Sequence, residues 1–349
     1  TGFRQRGVLY MAATPEDADA RGEWLEHARP YQLDSRFISG KEVDALAPGA
    51  TVKWHGALYT PSDGRAEPQL AAPAIAAGAQ QRGAKIFTHC AVRSLETAGG
   101  RVAGVVTERG AIGCDAVVLA GGAWSRKFAR NAGLKLPQLG VVNSVMRTSP
   151  IETGFHGAAS GVKFAMRKRL DGGFTIAHRH LSVADIVPDS FPQFFDFLPA
   201  LRLEWNGIRL RLGKRFIEEA RLPRRWEPDQ QSPFEMIRVL DPEPVKPVLD
   251  EALASIRATY PKFAATRIVE SWAGLIDTTP DTVPVISPVE ALPGFFFATG
   301  FSGHGFGIGP GAGRLVADLV TGDKPIVDPA PFRYRRFFDG SKPRPTTGV

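Results

Sequence analysis

The stretch ATGFSGHGFGIGPGAGRLVADLVTG, residues 298–322, decides the fold of this chain. It follows the apolar run at 295–297 and is typical of a strand, a glycine-dense loop and a helix. The seven glycines between positions 300 and 313 let backbone approach a ligand closely or adopt positive φ. Leu315 and Leu319 recur at helical spacing, and Gly322 ends the helix. The segment therefore predicts a helix N-terminus whose N–H groups face a ligand that carries or develops negative charge.

A glycine-rich loop alone also fits a tight turn that closes a sheet. Three further segments narrow the choice: GALYTPSDGRAEP at 56–68, the β-meander and apolar strand THCAVRSLETAGGRVAGVVTERGAIGCDAVVLAGGAWS at 88–125, and ESWAGLIDTTPDTVPVIS at 270–287. In this order, the four segments resemble the D-amino acid oxidase superfamily of FAD-dependent oxidoreductases, the group of glycine oxidase, sarcosine oxidase and D-amino acid dehydrogenase. Together they span most of the chain.

The resemblance implies a mixed α/β fold with a doubly wound FAD-binding domain and an antiparallel-sheet substrate-binding domain. We expect the discontinuous flavin domain at 67–137 and 264–325, the substrate domain at 1–66 and 138–263, and a C-terminal tail at 326–349. Members of the family open with a G-x-G-x-x-G turn that holds the FAD pyrophosphate. The sequence has no such motif. We therefore expect the flavin domain to lack its first βαβ unit, which is missing from this sequence, removed, or supplied by another polypeptide.

Composition restricts the other classes of function. The net charge of +7 suggests a nucleic-acid partner, but the basic clusters at 221–225 and 333–336 form no recognised nucleic-acid module and fit a solvated surface. Apolar runs are too short to cross a bilayer. Cys90 and Cys114 form no disulfide framework and lack metal-ligand spacing, which favours a cytoplasmic protein. His178 and His180 share a strand face without a third ligand nearby, so no metal site is predicted.

The resemblance also assigns the cofactor and its contacts. Non-covalent FAD is expected, because some relatives attach FAD through a cysteine near the segment at 273–275, where this chain has none. The residues that match the family's flavin-binding positions are Val92, Ala120, Gly121, Trp124, Gly303, His304, Gly305, Phe306, Gly307 and Ile308.

The activity implied is oxidation of a C–N bond of an amino acid or secondary amine. Hydride passes to flavin N5, and the resulting imine hydrolyses. The expected substrate is a D-amino acid or a cyclic or N-substituted amino acid, and the electron acceptor is left open between oxygen and a respiratory carrier. Two alternatives remain: a flavin-bearing subunit of a multi-chain opine or sarcosine-type oxidase, or a flavin-free binding or scaffold remnant.

The sequence offers a small set of candidate residues that could bind or react with the substrate. Relatives bind the substrate carboxylate with Arg where this chain has Ile276, or carry Lys where it has Gly307, so another cation must serve. Candidates on predicted strands are Arg147, Arg167 and Arg179, although a slip of one residue would turn each to solvent. Further candidates are Tyr59 as a pocket wall, His304 beside the flavin ring, and Asp281 either near the pocket entrance or as a turn cap. The catalytic prediction is His304, Tyr59, Arg147 and Arg179.

Overall fold

The computed structural model describes residues 1–341 and 343–345, which contain eighteen strands and nine helices. The strands are β1 (Arg4–Gln5), β2 (Val8–Ala12), β3 (Arg36–Ser39), β4 (Gly56–Thr60), β5 (Gly64–Arg65), β6 (Val92–Ala98), β7 (Arg101–Thr107), β8 (Gly110–Gly113), β9 (Val117–Leu119), β10 (Leu139–Thr148), β11 (Ala158–Ser160), β12 (Phe164–Lys168), β13 (Phe174–His178), β14 (Ser182–Asp185), β15 (Ile208–Arg211), β16 (Ile268–Thr278), β17 (Val285–Pro288) and β18 (Phe295–Thr299). The helices are α1 (Pro15–Ala28), α2 (Gly40–Leu46), α3 (Pro68–Gln80), α4 (Ser125–Asn131), α5 (Phe194–Leu203), α6 (Lys214–Arg221), α7 (Pro233–Met236), α8 (Lys246–Thr259) and α9 (Gly305–Thr321).

A ten-stranded sheet is the largest element, and β10 is its organising strand. One edge of β10 pairs with β16 along its whole length, while β13 and then β14 pair with the other edge. Beyond β13 follow β12, β11, β2, β4 and β3, and β15 flanks β14. Only β11–β2 and β14–β15 are parallel among these pairs. The mostly antiparallel sheet agrees with the mixed α/β class predicted for this chain.

Strict alternation gives this sheet two different faces. Apolar residues on one face pack under α8 and form the main core; they include Met146, Phe164, Met166, Phe174 and Ile176 against Leu249, Ala252 and Ile256. The intervening residues, here called the second face, are only half-buried and include small and polar side chains; they are Val141, Asn143, Val145, Arg147, Ala165, Arg167, Thr175 and Ala177, with Trp272 and Ile276 of β16. The second face is therefore the side of the sheet on which a ligand has room.

A separate three-stranded sheet carries the glycine-rich helix. Its order is β17-β18-β9, with β18 parallel to β9. The buried Phe295 and Phe297 pack with Phe128 of α4, and α9 packs Leu315 against Ile286 of β17. A third sheet, β6-β7-β8, is the predicted meander, and its turn uses positive φ at Gly99 and Gly100 (58° and 76°).

Part of the segment at 330–338 packs on the small sheet. Arg336 is 4% exposed and its guanidinium pairs with the equally buried Asp281 at 2.7 Å. The Tyr334 hydroxyl donates to the Lys135 carbonyl at 2.6 Å. The interpretation of the 333–336 cluster as solvated is therefore wrong for Arg336, since that cation is held by a carboxylate 55 positions earlier in the chain.

Strand β16 connects the two halves of the molecule. All of its hydrogen-bonded partners lie on β10 of the large sheet, although the predicted flavin segment begins at residue 264. The division by strand pairing thus falls after β16, near Thr278. Within the described residues, no helix has both the length and the apolar content needed to cross a membrane.

Candidate flavin and substrate site

The start of α9 provides a helix end with an uncovered surface. His304 is its N-cap residue and makes no side-chain capping bond, and the preceding Gly303 has φ +92°. An added Cβ at Gly307, Gly309, Gly311 or Gly313 would meet no described heavy atom within 4 Å. Open space beside free N–H groups is the arrangement that a flat, electron-accepting group requires. The residues at the start of α9 therefore fit a flavin.

The glycine segment differs in extent from its sequence prediction. Gly305, Phe306, Gly307 and Ile308 were expected in a loop, but they form the first turn of α9. Phe306 and Ile308 are exposed, at 55% and 44%. Because successive helical side chains point in different directions, only some of these four can face one ligand.

The half-buried Asp277 and the buried Gln138 and Thr299 form a network that holds the loop before α9. The Asp277 carboxylate Oδ2 accepts from the Gly300 N–H at 2.6 Å and lies 3.1 Å from the Thr299 hydroxyl. Gln138 Nε2 donates to the same carboxylate and to Thr299. Sequence reasoning missed this role, although an acidic residue ending the mostly apolar run at 272–277 was the available signal. The network fixes the loop relative to β16.

A second group of predicted cofactor residues meets beside β9. Val92, Gly121 and Trp124 line an apolar cavity of about 270 Å³ together with Val117 and Val118. Ala120 directly follows β9 and does not line this cavity. The Thr299 hydroxyl lies 2.9 Å from the Ser125 hydroxyl, which connects the end of β18 to the residues after Trp124. The strand end at 120–124 and the loop before α9 are therefore adjacent.

The second face of the large sheet lies against the same loop. Ile276 is the nearest residue to an added Cβ at Gly303, at 3.6 Å, and Ile276 pairs with Val141 in the β10–β16 ladder. Further across the second face, a cavity of about 260 Å³ is lined by Tyr10, Ser160, Ala165, Arg167, Thr175 and Ala177, among others. The small residues of this cavity leave room for a substrate.

Two of the candidate arginines already have carboxylate partners. Arg147 pairs with Glu270 at 2.7 Å and with Asp171 at 3.6 Å. Arg167 pairs with the buried Glu67 at 3.1 Å and donates to the Ala66 carbonyl. The expectation that Arg147 serves the substrate is therefore not supported by its surroundings, because its charge is neutralised by β16 and the turn before β13.

Arg179 differs from Arg147 and Arg167 in its surroundings. It lies in the three-residue segment between β13 and β14, where the register against β10 shifts. Its Nη1 donates to the Gly161 carbonyl at 2.9 Å, its buried Nε has no hydrogen-bond partner, and no carboxylate pairs with it in the described part of the chain. Irregular strand segments commonly redirect a side chain toward a site.

Tyr59, His178 and His180 do not line the cavity on the second face. Tyr59 pairs with the core residue Leu9, packs against the α8-side core and lies under Arg36, so it does not line the cavity on the second face. His178 is buried, and its Nδ1 accepts from the Leu181 N–H at 3.0 Å. Burial lowers the pKa of His178 and of His180, which favours neutral imidazoles. Among the described residues, no cluster of three side chains suits a metal.

Comparison with known families agrees with this geometry. The family model described as "DAO: FAD dependent oxidoreductase" matches residues 1–319. A solved structure of L-amino acid deaminase from Proteus myxofaciens, in complex with anthranilate, is 34% identical with a TM-score of 0.92. That match covers 96% of this chain and 76% of the other.

Two curated relatives resemble the chain more distantly. Glycine oxidase of Pseudomonas aeruginosa is 28% identical over 90% of this chain and 72% of its own length. The mitochondrial sarcosine dehydrogenase of Mus musculus is 25% identical over 97% of this chain. This chain spans only 33% of that dehydrogenase.

Proposed function

Because the chain belongs to the DAO family of FAD-dependent oxidoreductases, we propose that it oxidises the bond between the α-carbon and the nitrogen of an amino acid. The family membership gives the cofactor, and the deaminase, oxidase and dehydrogenase relatives all act on amino acids or N-methyl amino acids by name. Two solved structures above 30% identity are L-amino acid deaminases, which favours an L-amino acid over the D-amino acid or the cyclic or N-substituted amino acid expected from the sequence.

FAD, when bound, supplies the acceptor for the substrate hydride. The residues that would hold it are Gly303, His304 and the first turn of α9 on one side, and Gly121 and Trp124 on the other. The N–H groups of that turn stabilise negative charge on a bound group, because they carry the positive end of the helix dipole. Asp277 positions the loop and does not contact the ligand in this proposal.

Arg179 binds the substrate α-carboxylate in this proposal. The observation that supports it is the missing partner: Arg179 has a buried Nε without an acceptor, whereas Arg147 and Arg167 are paired with glutamates. A buried donor without an acceptor is costly, and a carboxylate is the acceptor that a guanidinium fork matches best. Ile276, Val141 and Trp272 then provide an apolar wall that excludes water from the reacting carbon.

The decisive experiment is anaerobic addition of L-, D- and N-methyl amino acids to the purified flavoprotein, followed by its visible spectrum. We expect one of these classes to bleach the flavin. The variant Arg179→Met should raise the concentration for half-bleaching about 100-fold, since a charge-assisted hydrogen bond contributes up to about 3 kcal/mol. The control Arg202→Met removes an exposed arginine of α5 and should change nothing. Bleaching by no amino acid, or an unaffected Arg179→Met variant, would contradict the proposal.

A separate test concerns the flavin contact. Gly307→Ala should stabilise the flavin-free protein by up to about 1 kcal/mol, because alanine is the better helix former. The same methyl group enters the open space beside α9. Because some relatives carry Lys at this position, FAD affinity should change little, whereas the visible spectrum of the bound flavin should shift. Gly78→Ala in α3 is the matched control, since its added Cβ makes only ordinary contact with Arg82 at 3.8 Å. A flavin spectrum in Gly307→Ala identical to that of Gly78→Ala would place the flavin elsewhere.

A further inference from the structure

Arg21 is a buried cation without a counter-ion. It lies on α1, is 6% exposed, and its Nε has no hydrogen-bond partner. No carboxylate lies within ion-pair distance of Arg21 in the described part of the chain; Asp17, one turn earlier, acts on it only at longer range and accepts from the Ala13 N–H. Burial lowers the pKa of Arg21, as expected for a guanidinium removed from water. Such an arrangement is unfavourable unless an anion completes it.

Arg21 does not line the cavity on the second face, but it contacts a residue that does. Its guanidinium lies over the Tyr10 ring, 5.7 Å from the ring centroid. Tyr10 lines that cavity, and its ladder partner across β2 and β11 is Ser160, which lines it too. The Ser160 hydroxyl is buried and has no hydrogen-bond partner. The cavity wall thus contains the unsatisfied Ser160 hydroxyl, and the unsatisfied Arg21 packs on Tyr10 of the same wall.

Arg179 reaches the same end of the sheet. Its Nη1 donates to the carbonyl of Gly161, the residue directly after Ser160. Arg21 also acts electrostatically on His180, the residue directly after Arg179. Each arginine therefore contacts a neighbour of Ser160: Arg21 contacts its ladder partner Tyr10, and Arg179 contacts the next residue, Gly161. Neither has a carboxylate partner among the described residues, and each leaves a buried Nε without an acceptor.

We propose that Arg21 and Ser160 bind a second carboxylate of the substrate, so that the enzyme acts on dicarboxylic amino acids. This inference rests on the proposed function, in which Arg179 binds the α-carboxylate. Arg21 then donates to the distal carboxylate, and Ser160 donates its hydroxyl proton to the same group. The second carboxylate supplies acceptors for donors that the protein leaves unsatisfied, and it neutralises a charge that the fold has buried.

The test uses two unreactive probes of equal chain length, glutarate with two carboxylates and valerate with one. Calorimetric titration of the purified flavoprotein should show glutarate binding at least about tenfold more tightly than valerate. Arg21→Met should remove this preference and leave valerate affinity within about twofold. Ser160→Ala should weaken glutarate binding about threefold. An Arg21→Met protein that keeps the full preference for glutarate would overturn the inference.

Controls separate this inference from the proposed function. Arg202→Met should keep the wild-type preference, which shows that the effect is not one of net charge. Arg21→Lys keeps a cation and should retain part of the preference, which provides a second variant if Arg21→Met folds poorly. Because neither probe is oxidised, loss of the preference in Arg21→Met supports the distal site even if no amino acid bleaches the flavin. Weakened valerate binding in Arg179→Met tests the α-carboxylate site separately.

Discussion

Two groups of arginines in this protein have opposite surroundings. At Asp189, three arginines converge on a single carboxylate: Arg126 at 3.0 Å, Arg130 at 2.9 Å and Arg224 at 3.2 Å. Near Ser160, Arg21 and Arg179 have no carboxylate partner in the described chain. Both groups contain arginines that are at least half-buried, and Arg224 is the exposed member of the first group. The difference is that the fold supplies a carboxylate to the arginines at Asp189 and supplies none to Arg21 and Arg179.

The difference separates structural arginines from ligand-binding arginines. A network such as the one at Asp189 joins α4 to the segment before α5, and its charges are compensated without any ligand. An uncompensated pair beside a cavity is unfavourable in the empty protein and becomes favourable only when an anion enters. Counting arginines in the sequence cannot make this distinction, because both groups contain the same residue type.

The largest expected effect is on the Asp189 network. Asp189→Asn leaves three neighbouring cations without their carboxylate, and we expect the free energy of unfolding to fall by about 3 kcal/mol. Urea unfolding followed by circular dichroism measures it. Glu290→Gln removes one exposed carboxylate paired with Arg335 and serves as control, with a change below about 1 kcal/mol. A similar small change in Asp189→Asn would remove the distinction between the two groups.

A smaller effect is expected when the unpaired arginine is replaced. Arg21→Met removes a buried charge that has no ion pair, so the free energy of unfolding should change by less than about 1 kcal/mol or increase. The same urea titration measures it, with Arg202→Met as the exposed control. A loss of about 3 kcal/mol would show that Arg21 stabilises the fold, and the two groups would then be alike.

The smallest effect is the pH dependence of stability. Burial opposes ionisation of Asp189, but Arg126, Arg130 and Lys127 outweigh it, so its pKa lies below the usual value. A carboxyl with a lowered folded-state pKa contributes stability above its unfolded pKa of about 3.9 and loses it as pH falls through the folded value. Between pH 6 and pH 3, wild-type protein should therefore lose more stability than Asp189→Asn. If the stability of the two proteins fell equally between pH 6 and pH 3, the assignment of these cations as partners of Asp189 would be contradicted.

Much of the flavin side was predictable from the sequence. The apolar run at 295–297, the helix ending at Gly322 and the meander with its Gly99-Gly100 turn all follow from local periodicity and turn chemistry, and the structure has each of them. The family resemblance, the mixed α/β class and the FAD cofactor are confirmed by the family match and the similar structures. Local pattern was sufficient because each of these features depends on neighbours in the chain.

The substrate side was less predictable, because its decisive contacts are distant in sequence. Arg147 and Arg167 have the same strand pattern as a ligand-binding arginine, and only their glutamate partners, Glu270 and Glu67, show otherwise. The sequence does not distinguish Arg21, because a charged residue within an ordinary helix is normally exposed. Its burial follows from the packing of α1 against β2, which no local pattern encodes.

The pairing of β9 with β18 has a consequence for how the protein is made. Val117 pairs with Phe295, a residue 178 positions later, so the small sheet cannot close until most of the chain has left the ribosome. Contacts of such long sequence separation slow folding, because the loop between them must close first. During synthesis, β9 waits as an unpaired apolar edge, which is a state prone to aggregation. Production at low temperature or with chaperones should therefore raise the yield of folded protein more than amino-acid substitutions in α9 would.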